Sequence, residues 1–171
     1  GRTSLDSHRD RPVLEADLVS LEAFDLIPFQ AAVDCEVSGI MLSHILYPGL
    51  DPDWPASLST RIVKRLLRRR MRSTGIVMTD DLEMGAIENC GGFDQAVRQV
   101  VKADVDMALI CHTPEKIELA FRIMTRRCAS SERGRLRAER SVGRILAVKR
   151  RYAVREKTSA SSPQRSPAAS R

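Results

Sequence analysis

Two adjacent carboxylates, Asp80 and Asp81, close a compact apolar run in residues 75–86 (GIVMTDDLEMGA). In parallel α/β folds ligands bind beyond the carboxyl ends of strands, where the loops converge, so this pair stands where chemistry is expected. Successive strand side chains point to opposite faces. Only one of the two then faces a pocket, and the other is free to cap the next helix, a role that suits Asp. A second constellation lies in residues 5–12 (LDSHRDRP), which have no apolar period and read as a loop. Asp6 stands two residues before His8 there; in a bent loop its carboxylate reaches the imidazole, fixes the tautomer and favours the charged form. An imidazole with an ordinary pKa of about 6.5 suits general acid–base work near neutrality, whereas the plainer reading is a surface histidine with an acidic neighbour. His44, in 41–48 (MLSHILYP), and His112, beside Cys111, each follow another apolar run. His44 reads better as a packed ring satisfied by backbone. A metal site from His44, Cys111 and His112 has no recognised ligand spacing, so neither metal nor cofactor is expected.

The elements that must position these residues alternate. Residues 37–43 (VSGIMLS), 75–79 (GIVMT) and 105–111 (VDMALIC) are short apolar runs suited to buried strands. Each is followed by a helical pattern. Ser59 caps a helix over about 60–72 whose Ile62, Val63, Leu66 and Leu67 share one face. Ala96, Val97, Val100 and Val101 make the apolar face of a helix over 93–103, and Pro114 opens a third over 114–128. Ser131 caps a last helix in which Val142, Ile145 and Leu146 are expected to face inward and Gly143 costs stability. Upstream, residues 20–34 read as helical but divided by Pro28. Three β-α units imply a parallel sheet covered by helices. Residues 1–154 are expected to form one domain, and 155–171, rich in Ser, Pro and Ala, a disordered tail.

At 171 residues, with 43% hydrophobic and 29% charged residues, the composition is that of a globular chain. No apolar run approaches the roughly 20 residues that cross a membrane, and no signal-peptide pattern opens the chain, so no membrane partner is expected. Four widely spaced cysteines without a C-x-x-C pair point to reduced thiols and a cytoplasmic setting. The net charge of +6 is concentrated in residues 61–72 and 133–151. These read as solvated outer helix faces; the other reading is a basic α/β module for nucleic acid or another polyanion. Nucleic acid is not the expected partner, because aromatic residues are only 4% of the chain and stacking platforms are scarce.

Taken together, residues 1–12 (GRTSLDSHRDRP), 25–29 (DLIPF), 44–51 (HILYPGLD), 55–59 (PASLS) and 75–86 resemble glycoside hydrolase family 3, in its bacterial β-N-acetylhexosaminidase branch. Order and spacing fit from the first residue to about Arg151. The resemblance implies a TIM (β/α)8 barrel, of which this chain supplies about the last three β-α units. Asp80 matches the family's nucleophile, His8 the general acid/base of this branch, and Asp6 its dyad partner. The implied substrate is a glycan with a terminal non-reducing N-acetylglucosamine, such as a peptidoglycan fragment, cleaved with retention. A His–Asp dyad then replaces one of the two carboxylates usual in retaining enzymes. A β-glucosidase of the same superfamily is the other enzymatic reading, and the Asp6-Ser7-His8 loop argues against it.

Three departures qualify the match. The Lys-His-Phe-Pro-Gly-His-Gly-like stretch that precedes the dyad loop in this branch is represented only by Gly1, earlier sugar-binding strands are absent, and Asp104 stands where relatives have Gly. The isolated chain is therefore expected to be weakly active or inactive, or a truncated relic.

Overall fold

The computed structural model describes residues 12–157 of the chain. Three parallel strands, β1 (Gly39–Leu42), β2 (Ile76–Asp81) and β3 (Met107–Leu109), form a sheet in that order. Five main helices accompany them: α1 (Ile27–Asp34), α2 (Arg61–Arg70), α3 (Phe93–Ala103), α4 (Pro114–Ala129) and α5 (Glu132–Lys157). Parallel pairing between consecutive strands requires a crossover; α2 connects β1 to β2 and α3 connects β2 to β3. The expected alternation is present, with β1 and β3 shorter than the apolar runs suggested and β2 reaching on through Asp81.

Helix ends follow local chemistry. Pro28 opens α1, and the chain before it forms separate turns over Leu18–Ser20 and Leu21–Asp25. Before α2, the Ser59 hydroxyl accepts the Ile62 amide at 3.0 Å and donates to Asp51 at 2.6 Å. α2 then takes the wide hydrogen bonding of a π-helix, with the Met71 amide reaching Leu66 five residues back. α3 ends at Asp104, whose left-handed φ of +74° is the conformation that glycine adopts most readily. Gly75 immediately precedes β2, and a Cβ there would lie 2.5 Å from the Val37 carbonyl oxygen.

One face of the sheet carries the core. Ile40, Leu42 and Val77 pack there against Leu58, Ile62, Val63, Leu66, Leu67, Val97 and Val100. The helix faces anticipated for α2 and α3 are the buried ones. Leu58 is 0% exposed, and its carbonyl accepts the buried Gln99 amide at 2.9 Å. Leu58→Ala should lower unfolding free energy by about 2–5 kcal/mol, read from denaturant midpoints, because the surrounding helices cannot collapse fully into the cavity. On the other face, among the described residues, no main helix packs over the registered row Met41, Met78 and Met107, and Met41 is exposed.

α5 departs from expectation. Val142 and Leu146 are 51% and 42% exposed, while Arg137 and Ser141 are buried. The reason is Asp106, wholly buried before β3. Its carboxylate accepts from Arg68 (2.7 Å), the Val77 amide (2.9 Å), Ser141 (2.6 Å) and Arg144 (2.6 Å). A buried carboxylate must be paired and hydrogen-bonded, and the polar stripe of α5 supplies half of those partners. Arg137 donates to the Val105 carbonyl at 2.6 Å and pairs with Asp104 at 3.0 Å. Farther along, the Tyr152 hydroxyl meets Ser38, just before β1, at 2.9 Å. α5 thus runs beneath the amino ends of the strands, from β3 to β1. It continues past Arg155 to Lys157, into the stretch expected to be tail; residues 158–171 lie outside the described residues.

Candidate active site

The carboxyl end of β2 carries the acidic pair. β2 and β3 lose regular register between Met78 and Asp81, and the Leu109 amide donates to the Thr79 hydroxyl at 3.0 Å. By alternation along β2, Val77, Thr79 and Asp81 share one side and Ile76, Met78 and Asp80 the other, the side without helices. Asp81 is engaged: its carboxylate accepts the Glu83 amide at 3.1 Å and lies 3.4 Å from the His112 ring. Asp80, half-buried, accepts the following amide, that of Asp81, at 2.9 Å, its one hydrogen bond among the described residues. Of the two, it is the carboxylate less engaged among the described residues.

His44 sits beneath this pair, 0% exposed. One ring nitrogen, Nε2, is 2.9 Å from the Asp81 carbonyl oxygen and therefore donates; Nδ1 then accepts the Ser57 hydroxyl at 2.6 Å. Burial pushes this imidazole below the usual histidine range, against the raising effects of the Asp81 carbonyl and of the Asp80 and Asp81 charges. The ring is thus a neutral strut that fixes the main chain carrying the acidic pair. With both nitrogens taken, it cannot ligate a metal beside Cys111 and His112. No group of three potential ligands lies together among the described residues.

The family model for the N-terminal domain of glycosyl hydrolase family 3 matches residues 1–148. The chain belongs to glycosyl hydrolase family 3. Among curated family 3 relatives, the β-hexosaminidase of Nitrosomonas eutropha is 32% identical over 118 residues, covering 69% of this chain and 34% of the relative. That of Stenotrophomonas maltophilia is 34% identical over 116 residues, covering 68% and 34%. The chain thus spans about a third of the length of the curated relatives it matches. A family 3 β-N-acetylglucosaminidase from Paenibacillus sp. superposes with a TM-score of 0.81 at 34% identity, covering 96% of this chain and 31% of that one. These relatives do not favour a stand-alone polyanion-binding module.

Within this family 3 chain, Asp80, Asp81, His44, Cys111 and His112 gather at or under the carboxyl ends of β2 and β3. His112 and Cys111 are exposed. Asp6 and His8 lie outside the described residues.

Glu83 has a positioning role that the sequence did not reveal. Its carboxylate accepts the amides of His112 (2.6 Å) and Thr113 (3.1 Å) at the start of α4, and Lys116 lies 3.5 Å away. It ties the loop after β2 to the loop after β3. Hydrogen bonding from the Thr113 side chain, then from the two amides and Lys116, lowers its pKa from 4.5 to about 2, with desolvation opposing. Because the folded value lies below the unfolded one, this tie is fully stabilising above pH 4.5 and is lost as pH falls toward 2. Glu83→Gln should flatten that part of the pH–Tm curve.

Proposed function

We propose that this chain is the nucleophile-bearing part of a retaining β-N-acetylhexosaminidase, built as about the last three β-α units of a TIM barrel. The proposed substrates are glycans ending in N-acetylglucosamine, including peptidoglycan fragments. The observation that carries this reading is Asp80: a half-buried carboxylate at the tip of the central parallel strand, on the uncovered face, while Asp81 is bound elsewhere. In a barrel that face is the interior and those tips form the mouth.

The chemistry follows. His8 protonates the departing glycosidic oxygen while an Asp80 oxygen attacks the anomeric carbon, giving a covalent glycosyl-enzyme. Water, giving its proton to His8, then attacks the same carbon, releases the sugar and restores the Asp80 carboxylate. Two inversions give net retention. Asp6 orients the imidazole and stabilises its charged form. The single carboxylate below the sugar faces an oxocarbenium-like transition state without a second anion to raise its pKa. Chain geometry supports a role for His8. Pro12 accepts the Leu46 amide at 2.9 Å, two residues after His44, whose ring touches the Asp81 carbonyl. The four residues from Pro12 back to His8 span at most about 14 Å.

The first test is an assay of the 171-residue chain with a chromogenic N-acetyl-β-glucosaminide. Turnover close to the buffer background is expected, because the chain covers only about a third of its relatives' length. Robust turnover abolished by Asp80→Asn would overturn the weak-activity reading and keep the assignment of Asp80; robust turnover unaffected by that change would overturn both.

A further inference from the structure

The outer side of α2 carries a charge arrangement that hydrolysis does not use. Residues 60–79 hold seven Lys or Arg and no Asp or Glu. Some of these cations are accounted for within the fold. Arg68 pairs with Asp106, Arg70 with Glu22, and Lys64 feels the Asp104 charge. Arg61, Arg65 and Arg69 are exposed and have no acidic partner among the described residues. They repeat every four residues along one side of the helix.

This arrangement works against the helix. Like charges four residues apart repel, and Arg61 lies in the first turn, where the helix dipole favours an acid. The three arginines border a groove of about 450 Å³ whose floor includes Leu18, Leu50 and Ile62. None of Asp80, Asp81, His44, Cys111 or His112 lines the groove, so it is separate from the site at the strand tips.

We infer that this groove docks an acidic amphipathic helix of a partner protein, with carboxylates along Arg61, Arg65 and Arg69 and an apolar ridge on the leucine floor. Charge complementarity sets the sign of the occupant, and the floor sets its second character. A bare polyphosphate or nucleic-acid backbone gains nothing from an apolar floor, and no aromatic side chain lines the groove to stack a base. A bilayer surface is broad, and the floor is recessed between α2 and the segments carrying Leu18 and Leu50. A helix with acids at i, i+4 and i+8 presents its carboxylates with the arginines' own repeat, and its neighbouring apolar positions reach the floor.

The test is fluorescence anisotropy of the full chain with a labelled helical peptide bearing Glu at i, i+4 and i+8 beside a Leu stripe. Saturable binding is expected, weakened at least about tenfold in R61Q/R65Q/R69Q. A similar loss is expected when the peptide's Glu become Gln, and again when its Leu become Ser. R122Q/R126Q/R127Q removes the same charge from α4 and should change binding by less than about twofold. Thermal melts of R61Q/R65Q/R69Q should hold or rise, since repulsion is relieved, and the peptide-side changes read the interface without altering the fold. Absence of saturable binding, equal loss in the two triple variants, or indifference to the peptide's leucines would overturn the inference. So would tighter binding, through the same arginines, of a mixed-sequence oligonucleotide or of phosphatidylserine vesicles.

Discussion

Asp80→Asn is expected to lower kcat/KM by about 10³-fold or more, with the loss in kcat, once the chain is joined to the portion of a relative, such as the Nitrosomonas eutropha β-hexosaminidase, that it does not cover. Asn keeps the volume and one carbonyl oxygen but removes the anion, so substrate still binds while covalent attack is lost. The check is a steady-state assay of the graft with a chromogenic N-acetyl-β-glucosaminide, together with Asp80→Ala in the presence of azide. A small anion entering the vacated space attacks the anomeric carbon directly, so the sugar azide should form with inverted configuration. A structural role for Asp80 would give no such rescue. Retention of full turnover in Asp80→Asn would remove the nucleophile assignment, and Asp81→Asn would then be the next carboxylate to test.

The largest stability effect is expected at Asp106. Its two oxygens hold Arg68, Arg144, Ser141 and the Val77 amide, and the side chain is fully buried. Asp106→Ala strands two guanidiniums that remain partly buried, at a cost of about 3–5 kcal/mol. Urea unfolding monitored by far-ultraviolet circular dichroism reads this directly. A double replacement of Asp106 and Arg144 should recover part of the loss, because it also removes one uncompensated cation. A change below about 1 kcal/mol in Asp106→Ala would show that the pair is solvated and contributes like an ordinary surface bridge.

Much of this architecture was legible because its signals are local. The apolar faces of α2 and α3 recur within four residues, and the positions of Ser59, Ser131 and Pro114 mark where helices start. The break before α1 follows from the chemistry of Pro28. Asp80 was visible as an acid after a buried run, and alternation already separated it from Asp81.

What escaped the sequence depends on distant partners. Arg137, Ser141 and Arg144 look like a solvated stripe until Asp106 is placed under them, so Val142 and Leu146 were assigned the inward face instead. Glu83 sits in the most pointed motif of the chain, yet its partners are the amides of His112 and Thr113, about thirty residues away. The register shift between β2 and β3, where the Leu109 amide reaches the Thr79 hydroxyl, is another such feature, and a run of apolar letters carries no sign of it.

The electrostatic attachment of the last helix bears on the order of folding during synthesis. Asp106 and Arg68 leave the ribosome well before Arg144 and Ser141, so for that interval a buried anion waits with its coordination half filled. The three strands can pair in outline, but the sheet reaches its final stability only when the carboxyl-terminal helix swings under it. Completion of this region therefore waits on the synthesis of α5, and a nascent chain stalled before Ser141 should stay protease-sensitive across all three strands.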